Sequence, residues 1–429
     1  MELIVDLHIH SHYSRATSKH SNLEGLYYWG KIKGINIIGT GDFTHPSWFA
    51  EMQEKLVPAE GGLYKLKDEL ADEIDKTLPE SVRGNIMRFV LTVEISNIYS
   101  KGGKVRKLHN ILIVPSFEIA AQLNSRLERM GNLQADGRPI LGMDSKELLQ
   151  MTIDSHPDSL FVPAHIWTPW FAMFGSKSGF DSIEEAFEEL APEIKAIETG
   201  LSSDPYMNWR LDELQSRAII SNSDAHSPQK LGREATIINT DLSYKSIIDA
   251  IKTNDERLVG TIEFFPQEGK YHYDGHRLCK VRFTPTETKQ HNGICPVCHR
   301  GLTIGVDYRV SEIADHPEEY KHLGNKLVEY IIPLPELLAE LVGTSPASKK
   351  NQAEYNRIIA SIGDEFSILR KLEIEQIRDA GFTELAAVIE RMRRGDVQIE
   401  PGYDGVYGTI KLFNSESERT QLGDQLSLL

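Results

Sequence analysis

Two histidines near the start of the chain have the spacing of ligands that share a metal ion. His8 and His10 follow an apolar run at residues 2–7 that has the composition of a β-strand. Because alternate side chains of a strand lie on the same face, both imidazoles can reach one ion. The pair therefore predicts a metal site, and the remaining ligands decide its chemistry.

The other candidate ligands are imidazoles and carboxylates with no thiolate among them. This set suits zinc, manganese or iron, and magnesium is also possible. A carboxylate such as Glu94 commonly bridges two ions, and two ions can together activate water and neutralise a phosphate, so we predict a hydrolase. Proton transfer is assigned to Asp42, Asp224 and His226, although the choice between ligand and general base stays open. The candidate ligands are His8, His10, Asp42, Glu94, His109, His165, Asp224 and His226.

Alternating elements would bring these residues together. Over residues 1–265, apolar runs of strand length alternate with stretches of helical period, which is typical of a mostly parallel sheet or barrel. Functional residues of such folds gather at the C-terminal ends of strands, and only His109 departs from this rule by preceding its strand. The predicted strands are 2–7, 35–39, 89–95, 110–114, 160–164, 194–199 and 218–222, and the predicted helices are 23–33, 118–130, 145–153, 182–190 and 244–253.

These motifs resemble the PHP superfamily of metal-dependent phosphoesterases. The resemblance lies in His8-Ile-His10, Gly41-Asp42, Glu94, His109, His165 and Ser223-Asp-Ala-His226. It implies an α/β fold, a distorted (βα)7 barrel over residues 1–265, with two or three divalent metals in the active site. The superfamily usually has Asp-His after the second strand, whereas Phe43 follows Asp42 here. His45 or His12 would then have to replace the missing ligand.

A narrower resemblance covers nearly the whole chain. Residues 14–19, 39–46, 163–170, 175–180, 271–277 and 295–298 are similar to the endonuclease Q family. That resemblance implies a DNA repair endonuclease that uses metal-activated water to nick DNA on the 5′ side of hypoxanthine, uracil, xanthine or abasic sites. A PHP-type phosphomonoesterase acting on a small metabolite is the alternative. A non-catalytic DNA-binding protein with a degenerate metal site is a third possibility.

Aromatic residues follow two of the candidate ligands. A lesion in a duplex must be turned out of the stack before it can be read, and the extruded base needs an aromatic or apolar pocket. We predict that this pocket contains Trp48, Trp167, Trp170 and Phe171, with ordinary core packing as the competing interpretation.

Three cysteines indicate a second metal site. Cys295-Pro-Val-Cys298 and Cys279 supply three thiolates, and a structural tetrahedral zinc needs a fourth ligand. His276 is our choice, with His272, His291 and His299 as alternatives. We expect the zinc to stabilise a small loop-rich module at residues 266–315.

The remaining residues divide into a helical region and a polar tail. Residues 316–411 have helical periodicity at 334–341, 352–362, 365–377 and 383–393, and the resemblance implies a DNA-binding role for this region. Residues 412–429 end in a peptide similar to those that bind the bacterial sliding clamp, an apolar motif suited to a partner groove. Its predicted anchors are Gln425, Leu426, Leu428 and Leu429.

Composition restricts the class of protein. A chain of 429 residues predicts two or three domains, and no stretch approaches the ~20 apolar residues of a membrane helix. Residues 1–10 have no pattern of an export signal, so we expect a cytoplasmic protein that associates with the nucleoid. The net charge of −16 argues mildly against a DNA partner, but bound cations and local basic clusters offset this objection.

Overall fold

The structure is a computed structural model that describes residues 1–413 of the chain. The strands are β1 (Glu2–Asp6), β2 (Ile37–Gly39), β3 (Leu56–Pro58), β4 (Tyr64–Leu66), β5 (Arg88–Lys101), β6 (Lys104–Val114), β7 (Ile140–Leu141), β8 (Leu160–Pro163), β9 (Ala196–Glu198), β10 (Ala218–Ile220), β11 (Ala235–Asn239), β12 (Leu258–Glu263), β13 (Asp274–His276), β14 (Val281–Phe283), β15 (Leu327–Tyr330), β16 (Gln398–Glu400) and β17 (Thr409–Lys411). The α-helices are α1 (Leu23–Lys33), α2 (Pro46–Lys55), α3 (Asp68–Asp75), α4 (Glu80–Arg83), α5 (Phe117–Leu127), α6 (Ser145–Ser155), α7 (Ile183–Phe187), α8 (Pro205–Asn208), α9 (Asp212–Gln215), α10 (Tyr244–Thr253), α11 (Pro285–Gln290), α12 (Val306–Ile313), α13 (Leu334–Val342), α14 (Lys349–Ile362), α15 (Ile374–Asp379) and α16 (Thr383–Arg393).

The principal sheet is mixed, which corrects the prediction of a mostly parallel arrangement. Its strands follow the order β15-β12-β11-β1-β2-β5-β4-β3, with β6 and β7 paired to β5 and β8 paired to β6. β1 is parallel to β2 but antiparallel to β11. β5 and β6 are antiparallel because Gly102 and Gly103, with φ of 61° and 72°, form a two-residue turn that needs no crossover helix. β9 and β10 form a separate parallel pair.

Both faces of β1 are buried, which explains its continuous apolar sequence. Leu3 and Val5 pack in one cluster with Ile247 of α10, while Ile4 belongs to the larger cluster on the opposite face. The strand is therefore held from two sides, and it fixes the position of the histidines that follow it.

The region after residue 265 packs against the sheet. β15 extends the sheet by pairing in parallel with β12, and β13 and β14 form a short antiparallel hairpin. A buried ion pair joins α1 to the helical region, since Lys33 Nζ lies 3.0 Å from Glu365 Oε2. Tyr355 donates its hydroxyl to the same carboxylate at 2.8 Å. The domain limits at residues 265, 315 and 411 stay predictions.

One predicted helix in this region is interrupted. The helix expected at 365–377 consists of a π-helical turn, Ser367–Lys371, followed by a break and then α15. Arg393 stabilises the turn by donating to the main-chain oxygens of Ile368, Leu369 and Leu372. Among residues 1–413, no helix has the length and apolar character needed to cross a membrane.

Candidate metal centre

Side chains that follow β1, lie within β5 and β6, or follow β8 and β10 meet in three overlapping groups. In each group the candidate ligand atoms lie within 4.8 Å of one another. Glu94 and His10 each belong to two groups, and the two carboxylate oxygens of Glu94 would allow neighbouring ions to share that residue. The groups are His8, His10 and Glu94; His10, Asp224 and His226; and Glu94, His109 and His165.

Glu94 lies at the centre of these groups. Its Oε1 atom is 2.7 Å from His109 Nδ1 and 3.0 Å from His165 Nε2. Its Oε2 atom is 3.3 Å from His10 Nε2 and 3.6 Å from His8 Nε2. The two oxygens thus face two different pairs of imidazoles, which is the geometry expected of a carboxylate that bridges two ions.

Asp224 and His226 form the open side of the centre. Asp224 Oδ1 lies 3.1 Å from His10 Nε2 and 3.6 Å from His226 Nδ1. The side chains of Asp224 and His226 are 28% and 32% exposed, whereas His8, His10 and Glu94 are buried. A substrate can therefore approach the centre from the side of Asp224 and His226.

The positions of Glu94 and His109 within their strands differ from the prediction. The sequence pattern places Glu94 at the end of a strand and His109 just before one, but both lie within the long β5–β6 hairpin. The register pairs Glu94 with Ile111 and Ser96 with His109, so Glu94 and His109 are diagonal neighbours. The predicted boundaries are wrong because the residues that extend both strands do not alternate regularly between apolar and polar side chains.

Three site residues after strands have left-handed backbone conformations. The φ angles are 51° at Asp42, 29° at His165 and 46° at Asp224. Such values are uncommon outside glycine, and they cluster at functional sites that the surrounding structure holds in place. Gly200 makes room for one of them, since a Cβ atom there would lie 2.3 Å from the Cβ atom of His165.

Two buried carboxylates orient the histidines from behind. Glu198 contacts His8 Nδ1 with both oxygens at 3.0 Å, and Asp42 Oδ1 contacts His10 Nδ1 at 3.1 Å. These contacts leave each Nε2 atom directed at the centre. Carboxylates placed in this way fix the tautomer of a metal-binding histidine and raise its basicity.

Asp42, His45 and His12 do not join the three groups. The Asp42 carboxylate is fully buried, and besides His10 it accepts bonds from the main chain of Ser11 and from the hydroxyls of Ser11 and Ser14. These contacts suit a role for Asp42 in positioning His10, and the roles of ligand and proton carrier stay predictions. His45 stacks on Tyr13 with ring centroids 4.3 Å apart, and His12 Nδ1 contacts the main-chain oxygen of Ser21 at 3.3 Å.

Sequence reasoning missed Glu198 and Arg138. Glu198 ends β9, so the rule that selected the other carboxylates after strands could have found it. Arg138 lies in the loop before β7, and its Nη1 atom is 3.0 Å from Glu94 Oε2. No sequence signal distinguishes this arginine from any other in a loop.

The electrostatics and the unpartnered atoms of the centre are compatible with bound cations. Burial raises the pKa of Glu94, but His109, Arg138 and His8 outweigh burial and hold that pKa well below its ordinary value. Burial dominates at His109 and lowers the pKa of its imidazole to about 4. His8 Nε2, His10 Nε2 and Asp224 Oδ1 are buried and have no hydrogen-bond partner. Buried polar atoms are rarely left without partners, so these three fit the ligands of an ion.

Some known proteins are similar to part of this chain, and others are similar to nearly all of it. Residues 333–396 match the family model described as the MJ0043 C-terminal domain. The uncharacterized protein MJ0043 of Methanocaldococcus jannaschii is 31% identical over 252 residues, which are 57% of this chain and 31% of that protein. The chain therefore spans about a third of the length of this relative.

Two solved structures cover almost the entire chain. The lesion-specific endonuclease PfuEndoQ from Pyrococcus furiosus matches with a TM-score of 0.82 and 27% identity over 96% of both chains. A complex of endonuclease Q with a 27-mer duplex carrying an abasic lesion at the active site matches with a TM-score of 0.80. Its identity is 28%, over 96% of this chain and 97% of that one. This chain resembles endonuclease Q. The resemblance found in the sequence motifs is thereby confirmed.

The aromatic residues predicted from the endonuclease Q resemblance divide between core and surface. Trp48 and Trp167 are fully buried, and their indole N–H groups donate to Gly41 O at 3.0 Å and Asn208 Oδ1 at 2.8 Å. Neither ring is open to a base, which corrects that part of the prediction. Trp170 is 43% exposed, and Phe171 packs on His109 with ring centroids 4.8 Å apart.

A second group of ligands lies away from the endonuclease Q-like centre. His276, Cys279, Cys295 and Cys298 place their ligand atoms within 4.8 Å of one another, which is the set chosen from the sequence. His276 Nδ1 lies 3.4 Å from Cys298 Sγ, whereas the alternative His291 stacks on Phe283. The group has the composition of a structural zinc site. The clamp-binding peptide at residues 425–429 lies outside the described residues.

Proposed function

We propose that this protein is a DNA repair endonuclease that nicks the phosphodiester on the 5′ side of deaminated bases or abasic sites. The observation that carries the proposal is the cluster of three ligand groups sharing Glu94 and His10, in a chain that resembles endonuclease Q over nearly its whole length. The two similar structures are those of a lesion-specific endonuclease and of a complex with an abasic duplex. Hypoxanthine, uracil and xanthine follow from the sequence resemblance.

We propose that the three groups hold two or three divalent ions. We propose also that residues 1–265, which carry these groups, form a distorted (βα)7 barrel. The ligands are His8, His10, Glu94, His109, His165, Asp224 and His226, with His45 left out because its ring packs on Tyr13. Bound ions supply an activated water and neutralise the phosphate. Zinc, manganese and iron suit this donor set best.

The protein's own groups then position the ions and move protons. Glu198 and Asp42 hold His8 and His10 in the tautomer that directs Nε2 at the centre. His226 is partly exposed, and burial lowers the pKa of its imidazole, so as an alternative to coordination its neutral form could accept a proton. Asp224 serves as a ligand on the same open side.

Three further features suit a DNA substrate. Trp170 offers an exposed ring beside Tyr271, with centroids 5.7 Å apart, on which an extruded base could stack. A zinc ion held by Cys279, Cys295 and Cys298 with His276 would stabilise residues 266–315 as a DNA-gripping module. We assign residues 316–411 to the same task. Such a substrate places the protein in the cytoplasm at the nucleoid.

Nick mapping tests the proposal. End-labelled duplexes carrying inosine, uracil or an abasic site are incubated with the protein with and without EDTA. We expect a metal-dependent nick on the 5′ side of the lesion and none in the undamaged duplex. The Asp224→Asn protein should lose most activity while it keeps its fold. Turnover of a chromogenic phosphate monoester without any nicking would instead favour the rival phosphomonoesterase.

The sliding clamp is a second proposed partner, and its test is separate. A protein truncated before Gln425 lacks the peptide similar to clamp-binding motifs. We expect the truncated protein to lose binding to a purified clamp in a pull-down while it nicks free DNA at the wild-type rate. Clamp binding that survives the truncation would contradict the assignment.

A further inference from the structure

Arg138 lies beside the metal centre with most of its hydrogen-bonding capacity unused. Its Nη1 atom contacts Glu94 Oε2 at 3.0 Å, and the side chain is 28% exposed. A guanidinium carries five N–H donors in a planar fork. Its other side-chain N–H groups make no hydrogen bond within residues 1–413. They are also not among the buried, unpartnered polar atoms, so solvent can reach them.

The loop that carries Arg138 is fixed against the site. Gly137 N donates to Tyr13 O at 3.1 Å, and Ser96 N donates to Pro139 O at 3.0 Å. A Cβ atom on Gly137 would lie 2.3 Å from Asp42 Oδ2, so only glycine lets the loop approach this closely. Arg138 is thus held between two anchored neighbours.

Charge balance gives the guanidinium a partner other than Glu94. With two divalent ions bound, four positive charges would be balanced by four carboxylates, those of Glu94, Asp224, Glu198 and Asp42. Arg138 adds a positive charge beyond this balance, which a bound anion would offset. Arginine favours phosphate because its planar fork matches two oxygens of that anion.

We propose that Arg138 donates hydrogen bonds to a non-bridging oxygen of the phosphate that is cleaved. The inference rests on the proposed function, since it names a residue that binds the substrate of the same site. The guanidinium lies beside Glu94, carries N–H groups that solvent can reach, and would add a directed donor to the charge of the ions. Arg138 would then discriminate a phosphate anion from a neutral ligand.

Binding of inorganic phosphate tests the proposal without requiring DNA cleavage. Metal-loaded wild type, Arg138→Gln and Arg138→Lys proteins are titrated with phosphate in a calorimeter, and their metal content is measured by elemental analysis. Loss of a hydrogen bond to a charged group corresponds to roughly 10–100-fold weaker binding. We expect that loss for Arg138→Gln, a smaller loss for Arg138→Lys, and unchanged metal content in both. Arg257→Gln, whose guanidinium pairs with Asp255, is the control and should bind phosphate as the wild type does.

Two results would overturn the inference. Wild-type phosphate affinity in Arg138→Gln would show that the guanidinium does not contact the anion. Loss of metal from the same variant would show that Arg138 acts only through Glu94. Absence of DNA nicking by the wild type, together with phosphate binding that depends on Arg138, would refute the proposed substrate but support the phosphate contact.

Discussion

The carboxylate of Glu198 contacts Nδ1 of His8 with both oxygens at 3.0 Å, although the two residues are 190 positions apart in the chain. Glu198 also accepts the main-chain N–H of His165 at 2.8 Å and a side-chain bond from Asn222 at 2.8 Å. One buried carboxylate therefore holds the imidazole of His8, which belongs to one ligand group, and also the main chain of His165, which belongs to another. The geometry of the candidate metal centre therefore depends on a residue that would not itself touch an ion.

Replacement of Glu198 by Gln should weaken metal binding without removing a ligand. The neutral amide can no longer hold the His8 tautomer with an anionic acceptor, and loss of such a partner typically costs about 10–100-fold in metal affinity. Metal titration followed by a competing chelator measures the change. Activity should return at excess metal. An affinity equal to that of the wild type would show that Glu198 only fills space.

Replacement of Glu94 by Gln should be more severe. The amide removes the charge that two ions would share and leaves four imidazoles around a neutral group. We expect the protein to retain less than half of the active-site metal by elemental analysis and to show a large fall in nicking rate, of the size typical when a metal's charge stabilisation is lost. The carboxylate control is Glu60→Gln, because Glu60 pairs with Arg88 at the surface. Full metal content in the Glu94 variant would contradict the bridging role.

The sequence predicted which residues meet in the candidate centre better than it predicted the sheet. Residue type selected every member of the three groups, and position after a strand selected most of them, although Glu94 and His109 lie inside strands. The antiparallel strands β11 and β12 were missed, and the hairpin of β5 and β6 was cut short. Both errors concern pairing between strands, which local periodicity does not encode.

Residues that orient the ligands were harder to predict than the ligands themselves. The position of Asp42 after a strand predicts a ligand, but its carboxylate points to Nδ1 of His10 and to two serines. Arg138 comes from an irregular loop whose path depends on Gly137 and on contacts with Tyr13. The difference between coordinating an ion and orienting a ligand is one of direction in space, and a sequence pattern contains no such information.

The fourth ligand of the zinc site can be identified by a matched pair of variants. His276→Ala should lose the zinc that the three thiolates cannot hold alone, because His276 faces Cys298 at 3.4 Å. His291→Ala should keep it, because that ring stacks on Phe283. Modification of the cysteine thiols releases the zinc, and a chromogenic chelator then measures how much was bound. This amount reports on the cysteine site separately from the active centre. Equal zinc content in both variants would contradict the assignment.

Two buried carboxylates on neighbouring strands should make stability depend on pH. Ala235 of β11 and Ile262 of β12 are paired across the two antiparallel strands. Glu234 precedes Ala235 and Glu263 follows Ile262, and both glutamates are buried. Burial raises the pKa of both, and each also carries an oxygen without a hydrogen-bond partner. The folded protein therefore binds more protons than the unfolded chain above the ordinary carboxyl range, so stability falls as pH rises through the raised pKa.

The Glu263→Gln protein should lose much of this dependence. The amide resembles the protonated acid and cannot ionise. The total fall in the free energy of unfolding from about pH 5 to about pH 9 should therefore be smaller in the variant than in the wild type. The difference should be roughly 1.4 kcal/mol for each unit by which the folded and unfolded pKa values of Glu263 differ. Denaturant midpoints across this range give the slope. Glu60→Gln should keep the wild-type slope in this range, because Arg88 lowers the pKa of Glu60 to about 2. A steeper decline in the Glu263 variant would refute the interpretation.

Trp170 is the aromatic residue left to stack on an extruded base, since Trp48 and Trp167 are enclosed in the core. Its replacement by Ala should weaken binding of an inosine-containing duplex by ~1–3 kcal/mol if the extruded base lies on the ring. Fluorescence anisotropy with EDTA present measures binding without cleavage. Tyr206, 49% exposed, supplies the matched control, because Tyr206→Ala removes an aromatic ring that packs on Trp209. Since much of the Trp170 ring lies outside the fold, the variant should unfold at the wild-type temperature. Equal DNA affinity of the two variants would show that Trp170 does not stack on the extruded base.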